Sequence, residues 1–366
     1  MADKVFITYA TAGSGHIKAA EALSHAAAEQ GIAVQLLDIV AFMRPLSRTL
    51  YSDGYLLLIS RMAQLWGLLY KLTDCDGLGL FNVHMRRFVD SRACSRFIRH
   101  IMAEKPDVVI STQFLASELV AYAKAKHGLK TRLVTVVTDF GVHKFWINPG
   151  TDVYCVAAES TRDILVSRGV DPSRIAVTGV PLDKKFTLPV DRREVLHSFG
   201  LDPDRFTVLI ATGGVGIGPI EEVVDQLKDE VQLLVVCGTN KRLCEKLSRE
   251  SHPNVRVFGF IDFMQKLMSA CDVIVTKAGG LTVTESLTKH LCSIFFYIIP
   301  GQEDINARTI AGHKAGFFEH TALGVARRVR QLKADPCLLT ECRRHAQALA
   351  RPSSCQDILK QAFSSR

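Results

Sequence analysis

The chain opens twice in the same way. Val5 to Tyr9 is a short apolar run, followed by the small-residue turn Ala12-Gly13-Ser14-Gly15-His16 and an Ala-rich segment from about Lys18 to Gln30 that Gly31 stops. Far downstream, Val208 to Ala211 leads into Thr212-Gly213-Gly214-Val215-Gly216-Ile217-Gly218 and then a helical stretch from Pro219 to Leu227. Strand, glycine-bearing turn and helix in that order begin a βαβ unit. Further strands read at Val34 to Ile39, Val108 to Ile110, Leu133 to Val137, Val153 to Ala157 and Ile175 to Thr178. After the restart they read at Val231 to Cys237, Val255 to Phe258, Val273 to Thr276 and Ile294 to Ile298. Two α/β halves with the same opening predict two doubly wound domains. Proline and charge between Val180 and Asp191 put the boundary near 185, giving domains over 1–185 and 186–340 and a helical C-terminal tail over 341–366.

A chain of 366 residues is long enough for two such cores, and 48% hydrophobic against 22% charged residues excludes a disordered class. Lys and Arg number 45 against 37 Asp and Glu, a formal +8. That balance favours an anionic partner: nucleic acid, a phosphate-bearing substrate or an anionic membrane face. The ten cysteines form no C-x-x-C pair, and Cys155, Cys237 and Cys271 stand in apolar runs. They read as reduced structural thiols of a cytosolic protein, not as zinc ligands or a disulfide framework. Met1-Ala2-Asp3-Lys4 runs straight into a strand and lacks a signal-peptide pattern. The longest apolar candidate, Leu50 to Leu72, is broken by Asp53, Arg61 and Lys71, short of the ~20 uninterrupted residues of a spanning helix. A membrane-touching helix stays open.

Several segments carry chemistry. Gly13-Ser14-Gly15-His16 sits where a strand passes into a helix N-terminus, which offers N–H groups and a positive dipole end to an anion. It is a partial G-x-G-x-x-G fingerprint, with Lys18 in place of the third glycine and Asp38 ending the second strand. His16 reads equally as a general base, because imidazole titrates near neutrality, and as a helix-start residue that packs. The turn at Thr212, Gly213, Gly214 and Gly216 lets backbone approach a diphosphate, and no P-loop pattern is present. Phe260 can cover a flat base while Ile261 reads its edge, or Phe260 can be a buried aromatic. In Lys277-Ala278-Gly279-Gly280-Leu281-Thr282-Val283-Thr284-Glu285, a tight turn precedes a helix over Thr282 to Thr288, with Glu285 on its first turn. A carboxylate there can accept two hydroxyl hydrogen bonds, as the diol of a ribose offers them. Gln302, Glu303 and Asn306 follow a strand end, as a sugar-reading set or a plain polar loop. Thr138-Asp139 ends another strand, followed by His143, Lys144 and Trp146, which makes Asp139 a rival or partner to His16 in proton handling. The D-x-D triplets at 74–76 and 202–204 read as turns, so no metal is expected.

In this order, these segments resemble the monogalactosyldiacylglycerol synthase and processive diacylglycerol glucosyltransferase family, and more distantly the N-acetylglucosaminyltransferase that completes the peptidoglycan lipid precursor. The resemblance runs from Gly13-Ser14-Gly15-His16 through Thr138-Asp139, Gly179-Val180-Pro181, the glycine turn, Gly259-Phe260-Ile261 with Met264, and Lys277 to Glu285, to Pro300-Gly301-Gln302-Glu303 and Asn306. It implies the GT-B fold of two facing Rossmann-like domains with an interdomain cleft. It also implies inverting, metal-independent and cofactor-free transfer from a UDP-sugar to a lipid acceptor such as diacylglycerol, with no nucleic-acid partner. Phe260 and Ile261 would then hold uracil, and Glu285 the ribose. The turn at Thr212, Gly213, Gly214 and Gly216, with Gly279, Gly280, Leu281 and Thr282, would hold the diphosphate, and Gln302, Glu303 and Asn306 the sugar. His16 or Asp139 would deprotonate the acceptor, with Gly13, Gly15, His143 and Trp146 on the acceptor side. Ala278 stands where the family usually has proline, and Thr11-Ala12 where it usually has another glycine or a Thr-Gly pair.

That resemblance gives the segment from Arg44 to Thr73 a role. Leu56, Leu57, Ile59, Met62, Leu65, Trp66, Leu69 and Leu72 can form one apolar face flanked by Arg48, Arg61 and Lys71. A helix of this kind suits peripheral docking on an anionic membrane at its cytoplasmic face, with Trp66 as anchor, or part of it can be core. The alternative activities on the same fold are a UDP-sugar epimerase and an inactive sugar-nucleotide-binding relative. An NAD-dependent oxidoreductase fits less well, because Lys18 breaks the fingerprint.

Overall fold

The computed structural model of the protein describes residues 3–11, 14–45, 47–48, 62–74 and 92–364. Gly13, Leu56, Leu57, Ile59, Arg61, Cys75 and Asp76 lie outside them. The chain forms two units. The first comprises the chain to Asp183, Ile299–Gln302 and the chain from Ser353; the second comprises Lys184–Ile298 and Glu303–Pro352.

In the first unit, β1 (Val5–Tyr9), α1 (Ser14–Glu29) and β2 (Val34–Asp38) are followed by α2 (Ala63–Asp74), α3 (Ser95–Glu104), β3 (Val108–Ser111), α4 (Phe114–His127), β4 (Arg132–Val136), β5 (Val153–Val156), α5 (Glu159–Ser167) and β6 (Ile175–Val177). The strands form one parallel sheet in the order β2-β1-β3-β4-β5-β6. Such a sheet is covered on both faces, so its inner strands, β3 and β5 among them, are buried along their length and do not alternate. Phe6, Val109 and Leu133 pack with Phe97, Leu115 and Leu119 on one face. Ile7, Ile110 and Val136 pack with Leu23 and Ala27 on the other.

In the second unit, α6 (Arg192–Ser198), β7 (Thr207–Ala211), α7 (Ile220–Leu227), β8 (Gln232–Val236), α8 (Lys241–Arg249), β9 (Val255–Phe258), α9 (Met264–Ala270), β10 (Val273–Thr276), α10 (Gly280–Thr288), β11 (Cys292–Phe295), α11 (Gln302–Gly312), β12 (Gly316–Phe318), α12 (Ala322–Ala334) and α13 (Pro336–Leu349) succeed one another. Their parallel sheet has the order β12-β11-β10-β7-β8-β9. Strand order reverses beside the first strand of each unit, between β1 and β3 and between β7 and β10. These switch points are where open α/β sheets bind ligands, outside the carboxyl ends of the strands.

Several boundaries differ from the sequence reading. Helix α1 begins at Ser14, so Gly15 and His16 are helical and not part of a turn. Helix α10 begins at Gly280, which puts Glu285 on its second turn, not its first. Gln302, Glu303 and Asn306 belong to α11 and not to a loop. Asp74 is the last residue of α2 and not a turn residue. The last helical stretch divides: α13 lies with the second unit, and α14 (Ser354–Phe363) buries Cys355, Ile358, Leu359 and Ala362 in the core of the first. The nine cysteines among the described residues are free thiols. Burial pushes Cys155 and Cys237 up to about 12, the range of inert core thiols.

Candidate functional site

At the switch point of the second sheet, the glycine turn leaves β7. Gly213, Gly216 and Gly218 have φ of 84°, 62° and 109°, the left-handed region that side chains rarely adopt. Space is also restrictive, since a Cβ on Gly216 would stand 1.9 Å from the carbonyl oxygen of Cys237. The segment after β8 braces the turn: the Thr239 backbone amide donates to the Gly214 carbonyl at 2.9 Å and the Asn240 side-chain Nδ2 to the Gly216 carbonyl at 2.9 Å. Thr212, just before the turn, is buried, and its Oγ1 has no hydrogen-bond partner among the described residues.

Across the switch, β10 delivers Lys277 to Gly280. Gly279 is the N-cap of α10 with extended backbone and offers no side-chain cap. The first amides of a helix have no intrahelical acceptor, so Gly280, Leu281 and Thr282 present N–H groups at the positive end of the dipole. Helix α7, which follows the glycine turn directly, carries Glu221 and Glu222 in its first turn and is a poorer place for an anion. Asn306 is buried, and its Nδ2 donates to the Ala278 carbonyl at 2.9 Å, holding this corner in shape. Glu303 is buried and accepts from Lys277 Nζ at 2.6 Å. In the sequence Lys277 opens the motif without a role of its own, because nothing in its spacing announces a partner in a later helix. Glu285 is half-buried on α10, and Gln302 opens α11. Phe260 stands at the exit of β9 with 71% of its surface exposed, and Ile261 beside it is half-buried. It is not a buried aromatic. Strands in a sheet lie about 4.8 Å apart, so this loop is roughly 10 Å from the exit of β7, a distance that a nucleotide can bridge.

At the switch point of the first sheet, the half-buried His16 rises from the first turn of α1. Its Nδ1 lies 2.7 Å from the Thr112 carbonyl oxygen and 3.3 Å from Thr138 Oγ1, while Thr112 Oγ1 donates to the His16 carbonyl at 3.0 Å. Burial draws the imidazole below its ordinary value, and the Asp139 charge and the Thr112 carbonyl partly oppose this. Among the described residues, nothing lies within 4 Å of where a Cβ on the adjacent Gly15 would be. Trp146 is buried in an apolar cluster with Val142 and Tyr154, its ring centroid 6.3 Å from that of His16.

His143 is also buried and is occupied in holding structure. Its Nδ1 accepts from the Phe145 amide at 3.2 Å, which leaves Nε2–H to donate towards Tyr70 O and Thr73 Oγ1, each at 3.2 Å. Asp74 beside it takes both guanidinium nitrogens of Arg168, at 2.7 and 2.8 Å, and the Lys144 amide at 2.9 Å. Burial alone would raise the Asp74 carboxyl, but the Arg168 fork, the Lys144 amide and His143 outweigh it and hold it below the usual carboxylate range. The end of α2 is therefore fastened to the first unit. Leu65, Leu68, Leu69 and Leu72 stand exposed at i, i+3, i+4 and i+7, one continuous apolar stripe. Trp66 lies partly buried beside Tyr70, away from that stripe. Among the described residues no helix is long and apolar enough to cross a membrane.

Known proteins match both halves. The sequence model of the monogalactosyldiacylglycerol (MGDG) synthase family matches residues 16–182, and that of the glycosyltransferase family 28 C-terminal domain matches residues 209–323. Processive diacylglycerol β-glucosyltransferases of Staphylococcus aureus strains, such as Newman and COL, are 32% identical over 219 residues, 58% of this chain and 56% of theirs. The chain thus spans a little over half the length of the curated relatives that it matches. Among solved structures, MurG of Acinetobacter baumannii superposes with a TM-score of 0.63 at 19% identity, over 99% of this chain and 100% of that one. The S. aureus MnaA–UDP co-structure gives 0.66 at 12% identity over 98% and 95%. Anabaena Alr3699/HepE in complex with UDP gives 0.59 at 12% over 99% and 100%. The two sheets are those of the GT-B fold; residues 16–182 are similar to the MGDG synthase family and residues 209–323 to the C-terminal domain of glycosyltransferase family 28.

Proposed function

We propose that the protein is an inverting hexosyltransferase that moves a sugar from a UDP-sugar to the hydroxyl of a lipid, diacylglycerol or a related glycolipid. The observation that carries this reading is the uncapped N-terminus of α10 facing the glycine turn across the switch point of the second sheet. Free N–H groups and a dipole end suit a diphosphate, and they stabilise the charge that grows on departing UDP. The reading therefore calls for no metal or other cofactor. In the second unit Phe260 and Ile261 hold the uracil, and Glu285 the ribose hydroxyls. Thr212, Gly213, Gly214, Gly216 and the amides of Gly280 to Thr282 hold the diphosphate, and Gln302, Glu303 and Asn306 line the sugar. In the first unit neutral His16 takes the acceptor proton, and Asp139 stabilises the imidazolium that forms. The apolar stripe of α2 rests on the cytoplasmic face of an anionic membrane, so the enzyme acts as a peripheral protein. The names of the curated relatives support the lipid acceptor, and the UDP complexes of similar folds support the donor.

The test is to incubate the protein with UDP-glucose, UDP-galactose or UDP-N-acetylglucosamine and vesicles containing diacylglycerol, and to identify products by mass. A glycosylated lipid with equimolar UDP is the expected result. Epimerised UDP-sugar without lipid product would replace transfer by epimerisation, and UDP binding without turnover would leave a binding protein.

A further inference from the structure

Lys277 leaves β10 with its stem beneath the glycine turn. A Cβ on Gly213 would come within 2.8 Å of Lys277 Cε, so that glycine answers to the lysine as well as to its own φ of 84°. The amine donates to Glu303 Oε1 at 2.6 Å, with the two side chains 22% and 7% exposed. The same carboxylate oxygen would lie 3.9 Å from a Cβ on Gly279, the residue that opens α10. A cation and its carboxylate thus lie between the glycine turn and the helix terminus. The buried Oγ1 of Thr212, without a partner among the described residues, adds a second donor at that spot. A largely buried ion pair contributes little net stability compared with apolar packing, because both charges lose their hydration. Its presence at a ligand-binding switch point therefore calls for a chemical reason.

We infer that Lys277 is a catalytic residue for the transfer proposed above, the cation that meets the diphosphate, and that Glu303 is its counter-ion before the donor binds. The inference rests on the UDP-sugar reading. In the transfer, the bond from the anomeric carbon to the β-phosphate oxygen breaks, and that oxygen keeps the electron pair. The acceptor oxygen forms the new bond to the anomeric carbon, and its proton passes to the base. UDP leaves with more negative charge than it carried as an ester. A lysine released from its carboxylate towards that oxygen favours the departing form over the bound substrate, which is the condition for raising turnover. Glu303, with its charge answered by Lys277 before the donor arrives, is a positioning residue for the amine.

Two substitutions separate this role from a structural ion pair. Calorimetric titration with UDP, which has no sugar for Glu303 to touch, is run on wild type, Lys277→Gln and Glu303→Gln, with uridine as the probe for an intact base site. Lys277→Gln is expected to weaken UDP at least tenfold with uridine binding unchanged, while Glu303→Gln binds UDP as tightly as wild type or more tightly, since a carboxylate near the diphosphate has gone. Turnover of the UDP-sugar by Lys277→Gln should fall by about a hundredfold, the scale for losing one group aimed at developing charge. Equal weakening of UDP by both substitutions, or no weakening by Lys277→Gln, overturns the inference. Should Lys277→Gln lose uridine binding through misfolding, the sign for Glu303→Gln decides alone, and a weaker complex counts against it. A wild type that binds no UDP would instead overturn the donor reading itself.

Discussion

The Nδ1 of His16 donates to the carbonyl oxygen of Thr112 at 2.7 Å, from the first turn of α1 to the exit of β3. A carbonyl can only accept, so this bond fixes the proton on Nδ1 and leaves the lone pair on Nε2. Neutral His16 is thereby set up to take a proton, and burial favours that neutral form. The sign of the pH dependence follows. With His16 below the ordinary imidazole value of 6.5, the base stays active into mild acid, and kcat/KM should rise through an acid limb below that pH. Asp139 favours the charged ring, so Asp139→Asn should move the limb to still lower pH. A limb moving upward would exclude His16 as the titrating base. His16→Ala should lower turnover by about 10²- to 10⁴-fold with UDP affinity unchanged.

The inner strands were legible in the sequence because both of their faces are buried and they read as apolar runs, as Val208 to Ala211 and Val273 to Val275 do. Gly316–Phe318, three residues at a sheet edge, gave too short a run to notice. Helix starts were harder. Gly15 and Gly280 look like turn residues, yet each lies in a first helical turn, where the amides need no intrahelical partner. The glycine turns, Phe260 and His16 were legible as local chemistry. Lys277 with Glu303, and Asp74 with Arg168, were not, because topology brings each pair together across 26 and 94 residues.

The glycine turn makes a graded prediction. Gly216→Ala must drive a Cβ to 1.9 Å from the Cys237 carbonyl at a φ of 62°, whereas a Cβ on Gly214 meets nothing within 4 Å among the described residues. Strain at such a site costs about 1–3 kcal/mol before the overlap is relieved. Gly216→Ala should lower the thermal midpoint of the second unit by roughly 5 °C or more and abolish protection by UDP. Gly214→Ala should melt within about 1 °C of wild type, since it creates no named source of destabilisation. Equal melting of the two variants by differential scanning calorimetry would deny that the turn is held in this shape.

The Asp74–Arg168 fork ties the exposed apolar stripe of α2 to the first unit. Both side chains are about a quarter exposed or less, so breaking the pair should cost about 1–2 kcal/mol locally, below the value for full burial. Asp74→Asn or Arg168→Gln should loosen α2 and raise the apparent KM for diacylglycerol vesicles several-fold, with the KM for the UDP-sugar unchanged. Hydrogen exchange over residues 63–74 should speed up in the same variants. Faster exchange with an unaltered vesicle KM would separate α2 from acceptor binding.

Phe260 is the sharpest test of the base site, because its free-state environment is so sparse. A phenylalanine with 71% of its surface exposed contributes almost nothing to folding, so Phe260→Ala should leave the unliganded thermal midpoint unchanged. Stacking of a base on an aromatic ring is worth about 1–3 kcal/mol, which corresponds to a loss of roughly 5- to 150-fold in affinity for UDP and for uridine alike. Glu285→Ala should weaken both as well, through the ribose, and should spare uracil supplied as the free base. Phe260→Ala should weaken all three. If Phe260→Ala instead destabilises the apo protein and leaves uridine affinity intact, the ring is a structural element and the base must be sought elsewhere along the edge formed by β8 and β9.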